Sequence, residues 1–247
     1  MLETLVDAFP TLGLLAWDPP GWGANLARGL ANSVQIALGA YALGLGIGTA
    51  GAFGKLYGGP VTRDLLAVYT TVVRAVPELV LILILYFAVT DLVNQALTSF
   101  GYARVQLSGV AAGIAVLGVV QGAYSVEVIR GAILAVPVGQ LEAAKAMGMS
   151  PAKTAWRITL PLMLSNAIPG LANLWLIATK DTALLAIVGF GELTLQTRQA
   201  ASSTKAFMTF FLAAGVLYLL ITLLSTLVFG RIEAWARKGQ RRDEAGS

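Results

Sequence analysis

Cysteine and histidine are both absent from this chain of 247 residues. Their absence excludes disulfides, thiol nucleophiles, imidazole bases and most zinc, copper or haem sites. It also excludes a Ser-His-Asp triad. Charged residues make up only 12% of the sequence, against about 25% in soluble domains. A membrane enzyme remains an alternative, but the sequence supplies neither the usual catalytic side chains nor a cluster of acidic residues.

Apolar residues are abundant, at 57% of the chain with a mean hydropathy of +0.75. Four long stretches contain no charged residue and a fifth contains only Arg74 and Glu78. Each reaches the ~20 residues that cross a bilayer as a helix, and none alternates polar and apolar residues as a barrel strand would. The sequence therefore predicts an all-α integral membrane protein with a transmembrane domain over residues 24–230. Its five spans are expected at about residues 24–53, 61–90, 107–136, 157–187 and 206–230.

Glycines are concentrated in the first predicted span, at positions 39, 44, 46, 48 and 51. Small residues allow two membrane helices to approach closely. We therefore expect this side of the first span to be a packing face, with no further function.

Lysine and arginine residues are distributed unequally between the two sides of the predicted bundle. If the N-terminus lies outside, eleven of them fall in cytoplasmic segments and four in outside segments. Because positive residues favour the cytoplasmic side, we expect the leader, residues 1–23, outside and the basic tail, residues 231–247, inside. The same orientation places the segment between the third and fourth spans in the cytoplasm.

That cytoplasmic segment, residues 139–148, is a polar interruption rich in small residues. It has the length of a short helix, and Gly148 suits a left-handed helix end. Ser150 and Pro151 are typical of the start of a second helix. Membrane insertion does not require such a helix–turn–helix, so the segment is interpreted as a docking element. Its small alanines could enter a groove on a partner, with Glu142 free to bond.

Charged and polar residues inside the spans are candidates for a translocation path. Arg74 and Glu78 are spaced i, i+4, which predicts one shared helix face beside a kink at Pro77. They either clamp the kink or line a water-filled path, because intramembrane ions face the bundle interior or a cavity. Glu127 could pair with Arg130 as a lock, or face the path. The complete set of path or gate candidates is Arg74, Glu78, Tyr124, Glu127, Lys180 and Asp181.

A phosphate-binding loop is not present at Gly54-Lys55, because the first glycine of that motif would fall at position 49, which is threonine. The chain therefore cannot use ATP alone, and we expect no cofactor or metal in it. No internal repeat indicates an inverted-repeat transporter. An ion-coupled secondary transporter and a non-conducting assembly subunit remain the alternatives to a transport subunit powered by a partner.

Several short runs resemble one family. Glu142-Ala143-Ala144, Gly148, Ile158 and Leu160-Pro161 resemble the Glu-Ala-Ala signature of permease subunits of bacterial ATP-binding-cassette importers. Four further runs, at residues 70–79, 122–132, 135–140 and 180–184, resemble the polar amino-acid branch, and within it the histidine, basic amino-acid and opine importers. The resemblance covers roughly residues 22–235.

The resemblance implies a type I importer fold in the bacterial inner membrane, importing polar, in particular basic, amino acids or opines by alternating access. It implies a second permease subunit, a different chain rather than a copy. It further implies two ATPase subunits, which bind ATP and Mg²⁺, and a periplasmic binding protein. The residues implied in coupling to the ATPases are Glu142, Ala143, Ala144 and Gly148, since Lys145 and Met147 depart from the family pattern.

Overall fold

The computed structural model describes residues 11–103 and 109–237, and every regular element within them is helical. Residues 1–10 of the leader and residues 238–247 of the basic tail, including Lys238, Arg241 and Arg242, lie outside the described residues, as does Arg104. A short 3₁₀ helix, Leu12–Leu15, precedes the main elements. These elements are α1 Gly23–Tyr57, α2 Pro60–Ala75, α3 Glu78–Ser99, α4 Gly109–Leu134, α5 Val138–Ala146, α6 Leu160–Asp181, α7 Leu193–Thr204 and α8 Phe207–Ala236.

Within residues 11–103 and 109–237, five helical segments are long and apolar enough to cross a membrane, which confirms the predicted fold class. They are Gly23–Tyr57, Glu78–Ser99, Gly109–Leu134, Pro151–Val188 and Phe207–Ala236. The last continues beyond its predicted end at residue 230, into the start of the basic tail.

The centre of the bundle is the contact between α1 and α4, and glycine determines how closely they pack. A methyl group at Gly48 would collide with Ser125, and one at Gly51 with Val126. Gly39 and Gly44 also face α4, as their spacing predicts. Gly46 does not: it is exposed and faces open space. The close contact with α4 therefore runs along most of α1. Of the spans found in the described residues, α4 has the largest buried share.

The predicted second span, residues 61–90, is wrong as a single helix. Val76 and Pro77 adopt extended backbone conformations and separate α2 from α3. Proline disfavours a helical conformation in the residue before it and cannot donate a backbone hydrogen bond. Arg74 and Glu78 consequently belong to different helices, and the predicted shared face does not exist.

The fourth span is longer and less regular than the predicted 157–187. It begins at Pro151 with a short helical turn and passes through a π-helical segment, Ala155–Thr159, before α6. Beyond α6, a 3₁₀ helix over Thr182–Val188 ends at Gly189 with φ +86°. The segment that follows, between the fourth and fifth spans, contains α7.

Candidate coupling helix and translocation path

The docking element consists of α5 and the turn that follows it. Gly148 has φ +70°, and its N–H bonds the carbonyl of Lys145 while that of Met149 bonds Ala144. These two bonds form the Schellman ending of a helix, in which the left-handed residue is usually glycine. Ser150 then caps the next turn by accepting from the N–H of Lys153. The helix–turn–helix expected from Gly148 and Ser150 is thus present.

One face of α5 is exposed and the other packs on the protein. Glu142, Ala143 and Ala146 are exposed, whereas Ala144 is only 4% exposed. The expectation that Ala144 contributes to the free alanine surface is therefore wrong, because successive residues of a helix point to different faces. Glu142 and Ala143 remain available to a partner, and Gly148 shapes the turn beside them.

Besides the docking element, a polar group lies near the C-terminal end of α4 and joins three helices. Glu127 accepts from the Lys55 Nζ at 2.6 Å and from the Arg130 Nη2 at 2.8 Å. Lys55 also donates to the Thr70 Oγ1 at 2.7 Å. The predicted Glu127–Arg130 pair is confirmed as a contact, and Lys55 was not anticipated. Its only sequence signal is a lone cation at the end of a glycine-rich span.

A second polar group, deeper in the bundle, contains two carboxylates. The Tyr124 hydroxyl donates to the Glu78 Oε1 at 3.2 Å, and the Gln121 Nε2 donates to the Asp181 Oδ2 at 3.4 Å. Glu78 and Asp181 also lie close enough to interact. We call these four residues the polar cluster; α3, α4 and α6 each contribute to it.

Gln121 is the member of the polar cluster that sequence analysis missed. It is 1% exposed, and its Oε1 has no hydrogen-bond partner among the described residues. Its sequence signal was a solitary amide inside a long uncharged run, where a polar side chain is costly. Arg74 and Lys180 are exposed beside the cluster, and neither forms an ion pair within residues 11–103 and 109–237.

Glu192 is a further buried acid that sequence analysis passed over, although a carboxylate just before a helix is a capping signal. It is fully buried and caps α7 by accepting from the N–H groups of Thr194 and Leu195 at 2.8 and 2.7 Å. Tyr218 of α8 donates to it at 3.2 Å, and Ser33 of α1 at 3.4 Å. Burial raises the pKa of the Glu192 carboxyl, although these hydrogen bonds oppose the shift.

Five spans, a short helix exposed between two of them and a polar cluster inside the bundle are together typical of a transport subunit. Residues 26–238 match the family described as "Binding-protein-dependent transport system inner membrane component", and the chain belongs to that family. It is 40% identical over 232 residues to the nopaline transport system permease protein NocQ of Agrobacterium fabrum, covering 93% of this chain and 98% of the relative. It is 34% identical to the histidine/lysine/arginine/ornithine permease HisQ of Salmonella typhimurium, covering 90% and 97%.

Similarity to solved structures supports the same family. The chain resembles an amino acid ABC transporter crystallised with histidines, with a TM-score of 0.73 and 26% identity over 86% of this chain and 94% of that one. Inward-facing MetNI methionine transporter shares the fold, with a TM-score of 0.68 at 18% identity over 89% and 99%. The chain is therefore a multi-pass inner-membrane permease of an ATP-binding-cassette importer, and the expectation that it is a transport subunit rather than an enzyme is confirmed.

Proposed function

We propose that this permease imports polar, in particular basic, amino acids or opines by alternating access. The polar cluster is the observation that carries the proposal. An amino acid presents a carboxylate and an ammonium group, and the cluster offers Glu78 and Asp181, with the exposed cations Arg74 and Lys180 beside them. Relatives whose names specify nopaline or histidine, lysine, arginine and ornithine support this class of substrate.

The coupling surface is proposed to be the exposed face of α5. Glu142 and Ala143 would contact a groove on an ATPase subunit, and Ala144 would hold α5 against the permease. Gly148 maintains the turn that joins α5 to the fourth span. Two such ATPases would bind ATP and Mg²⁺, and a periplasmic binding protein would deliver the substrate.

The transport step is proposed to follow from the position of α5 between α4 and the fourth span. When the ATPases close, α5 moves with them and displaces the inner ends of both spans. Tyr124 lies on α4 and Asp181 on α6, so this displacement alters the polar cluster. A switching mechanism needs an element whose movement favours one of two arrangements of the bundle over the other. In this proposal that element is α5.

We further propose that the N-terminus lies outside and the C-terminus in the cytoplasm, on the basis of the lysine and arginine distribution. Arg231 and Arg237 at the end of α8 then lie on the cytoplasmic side, as the positive-inside rule requires. The second permease subunit is proposed to be a different chain, in keeping with the branch that this sequence resembles.

The test is uptake into proteoliposomes that contain the complete importer and its binding protein. Labelled arginine, histidine and nopaline are supplied outside, with ATP inside or omitted, and with ion gradients kept or collapsed. We expect uptake that needs ATP and survives collapse of the gradients. Uptake that follows the gradients would instead indicate a secondary transporter. If a complex without this chain transports at full rate, the chain is an assembly subunit that forms no part of the path.

A further inference from the structure

An apolar groove lies at the end of the bundle where α1 and α8 begin. Its volume is about 820 Å³. The leader provides one wall, with α1 and α8 on the other sides; representative lining residues are Leu12, Leu15, Leu26, Leu30, Leu212 and Val216. Thr11 and Thr209 also line it, but their hydroxyls bond each other at 2.7 Å.

Backbone contacts hold residues 11–23 of the leader in place, so the groove is a built feature. The N–H of Trp22 bonds the Leu14 carbonyl at 2.8 Å, and that of Gly23 bonds the Ala16 carbonyl at 2.9 Å. A side chain at Gly23 would lie 2.6 Å from the Leu15 carbonyl oxygen, so glycine allows the leader to fold back on α1. The Thr11–Thr209 bond ties the same segment to α8.

Three observations identify the occupant. The groove opens between two membrane spans, and Leu212 on its α8 wall is 61% exposed, which makes it continuous with the apolar outer surface of α8. Trp17 lines it and is 66% exposed, as is typical of tryptophan at a membrane interface. Its apolar walls give water too few polar partners, whereas apolar cavities of about 150 Å³ already accept benzene.

We propose that this groove binds one acyl chain of a phospholipid from the leaflet on the side of the N-terminus. The acyl chain fills the space between the leader and the two spans and gains van der Waals contacts with their facing apolar surfaces. The site is separate from the polar cluster and from α5, and it does not depend on which substrate is transported.

The test uses the complete importer in nanodiscs that contain a trace of phosphatidylglycerol with a diazirine near the end of one acyl chain. After irradiation, labelled peptides are mapped by mass spectrometry. We expect the leader and the first turns of α1 and α8 to be labelled several-fold more than other lipid-facing segments. Ala27→Phe and Ala213→Phe, which fill the groove from opposite walls, should each lower that labelling several-fold. Ala42→Phe, an exposed position elsewhere on α1, is the matched control.

Three results would overturn the proposal. Even labelling of all spans would indicate bulk lipid only. Undiminished labelling in both filled variants, in complexes that remain intact on gel filtration, would show that the label does not enter the groove. Photocrosslinking from a benzoylphenylalanine at position 212 to the second permease subunit, or to residues 1–10, would assign the groove to that occupant.

Discussion

The hydroxyl of Tyr124 donates a hydrogen bond to the carboxylate of Glu78, with 3.2 Å between the oxygens. The two residues belong to different spans, and Glu78 is the first residue of α3, directly after the break at Val76–Pro77. The bond therefore links the first turn of α3, where the second span begins, to α4. Within the polar cluster, this bond joins α3 to α4, and the Gln121–Asp181 bond joins α4 to α6.

Replacing Tyr124 with phenylalanine removes that hydroxyl and keeps the ring. A hydrogen bond to a charged group contributes about 1.5–3 kcal/mol, and each 1.4 kcal/mol corresponds to about tenfold. We expect transport at low substrate concentration to fall by about tenfold to a hundredfold, measured as initial uptake in proteoliposomes. Tyr86→Phe is the control, since Tyr86 makes ring contacts with Phe87 and Phe190. Equal losses in the two variants would contradict a specific role for Tyr124.

Replacing Glu127 with glutamine leaves Lys55 and Arg130 without their carboxylate. Both contacts are partly shielded from solvent, so we expect a loss of about 2 kcal/mol in the free energy of unfolding. The measurement is the thermal midpoint of the purified complex. Arg237→Gln breaks the exposed Arg237–Glu233 pair and should cost less than about 1 kcal/mol. The interpretation fails if Glu127→Gln is as mild as this control.

Replacing Gly148 with valine should disturb the turn after α5 and so impair both transport and the ATPase activity that accompanies it. A methyl group there would meet no other atom, so the cost is conformational, at about 1–2 kcal/mol for the left-handed backbone. We expect transport and the ATPase activity stimulated by the binding protein to fall together. Gly148→Asn should retain most of both, because asparagine tolerates this conformation. Full activity of the valine variant would exclude the proposed role of the turn.

Replacing Gly48 with alanine tests the contact between α1 and α4. The added methyl group would collide with Ser125, and overpacking of this kind costs about 1–3 kcal/mol. Gly46→Ala, two residues away in open space, should instead be neutral or stabilising by up to about 1 kcal/mol. Thermal midpoints of the two variants should therefore shift in opposite directions or differ clearly. Similar shifts would show that the helices do not pack as described.

The raised pKa of Glu192 predicts a dependence of stability on pH. A carboxyl whose pKa is higher in the folded protein stabilises the fold most below its unfolded pKa. That contribution is lost as pH rises through the folded value. We expect the thermal midpoint to decrease from acidic towards neutral pH, and Glu192→Gln to reduce this decrease. A variant with the wild-type pH profile would show that other groups are responsible.

Local signals in the sequence predicted the turn after α5 correctly, because Gly148, Ser150 and Pro151 act within a few residues of one another. The break before α3 was not predicted, since strong hydropathy on both sides of Pro77 is compatible with one kinked span. Hydropathy indicates which residues favour lipid, but it contains no information on where the helical backbone is interrupted.

The polar contacts could be predicted only in part, because some join residues of one helix and others join residues of different helices. Glu127 and Arg130 are three residues apart on one helix, so their pairing follows from helix geometry. Lys55 and Gln121 bond residues from other helices, and those contacts depend on how α1, α2, α4 and α6 are arranged. Spacing along a single chain contains no such information.

The glycines of α1 have a mechanical consequence. Side chains of α4 lie against the glycine positions of α1, so sliding one helix along the other would drive Ser125 and Val126 into the larger residues between those glycines. Interdigitated helices resist such sliding because packed interiors deform little. We therefore expect the pair to move as one rigid body during transport. Rearrangement would then occur at its borders with α3 and α6, where Glu78 and Asp181 lie.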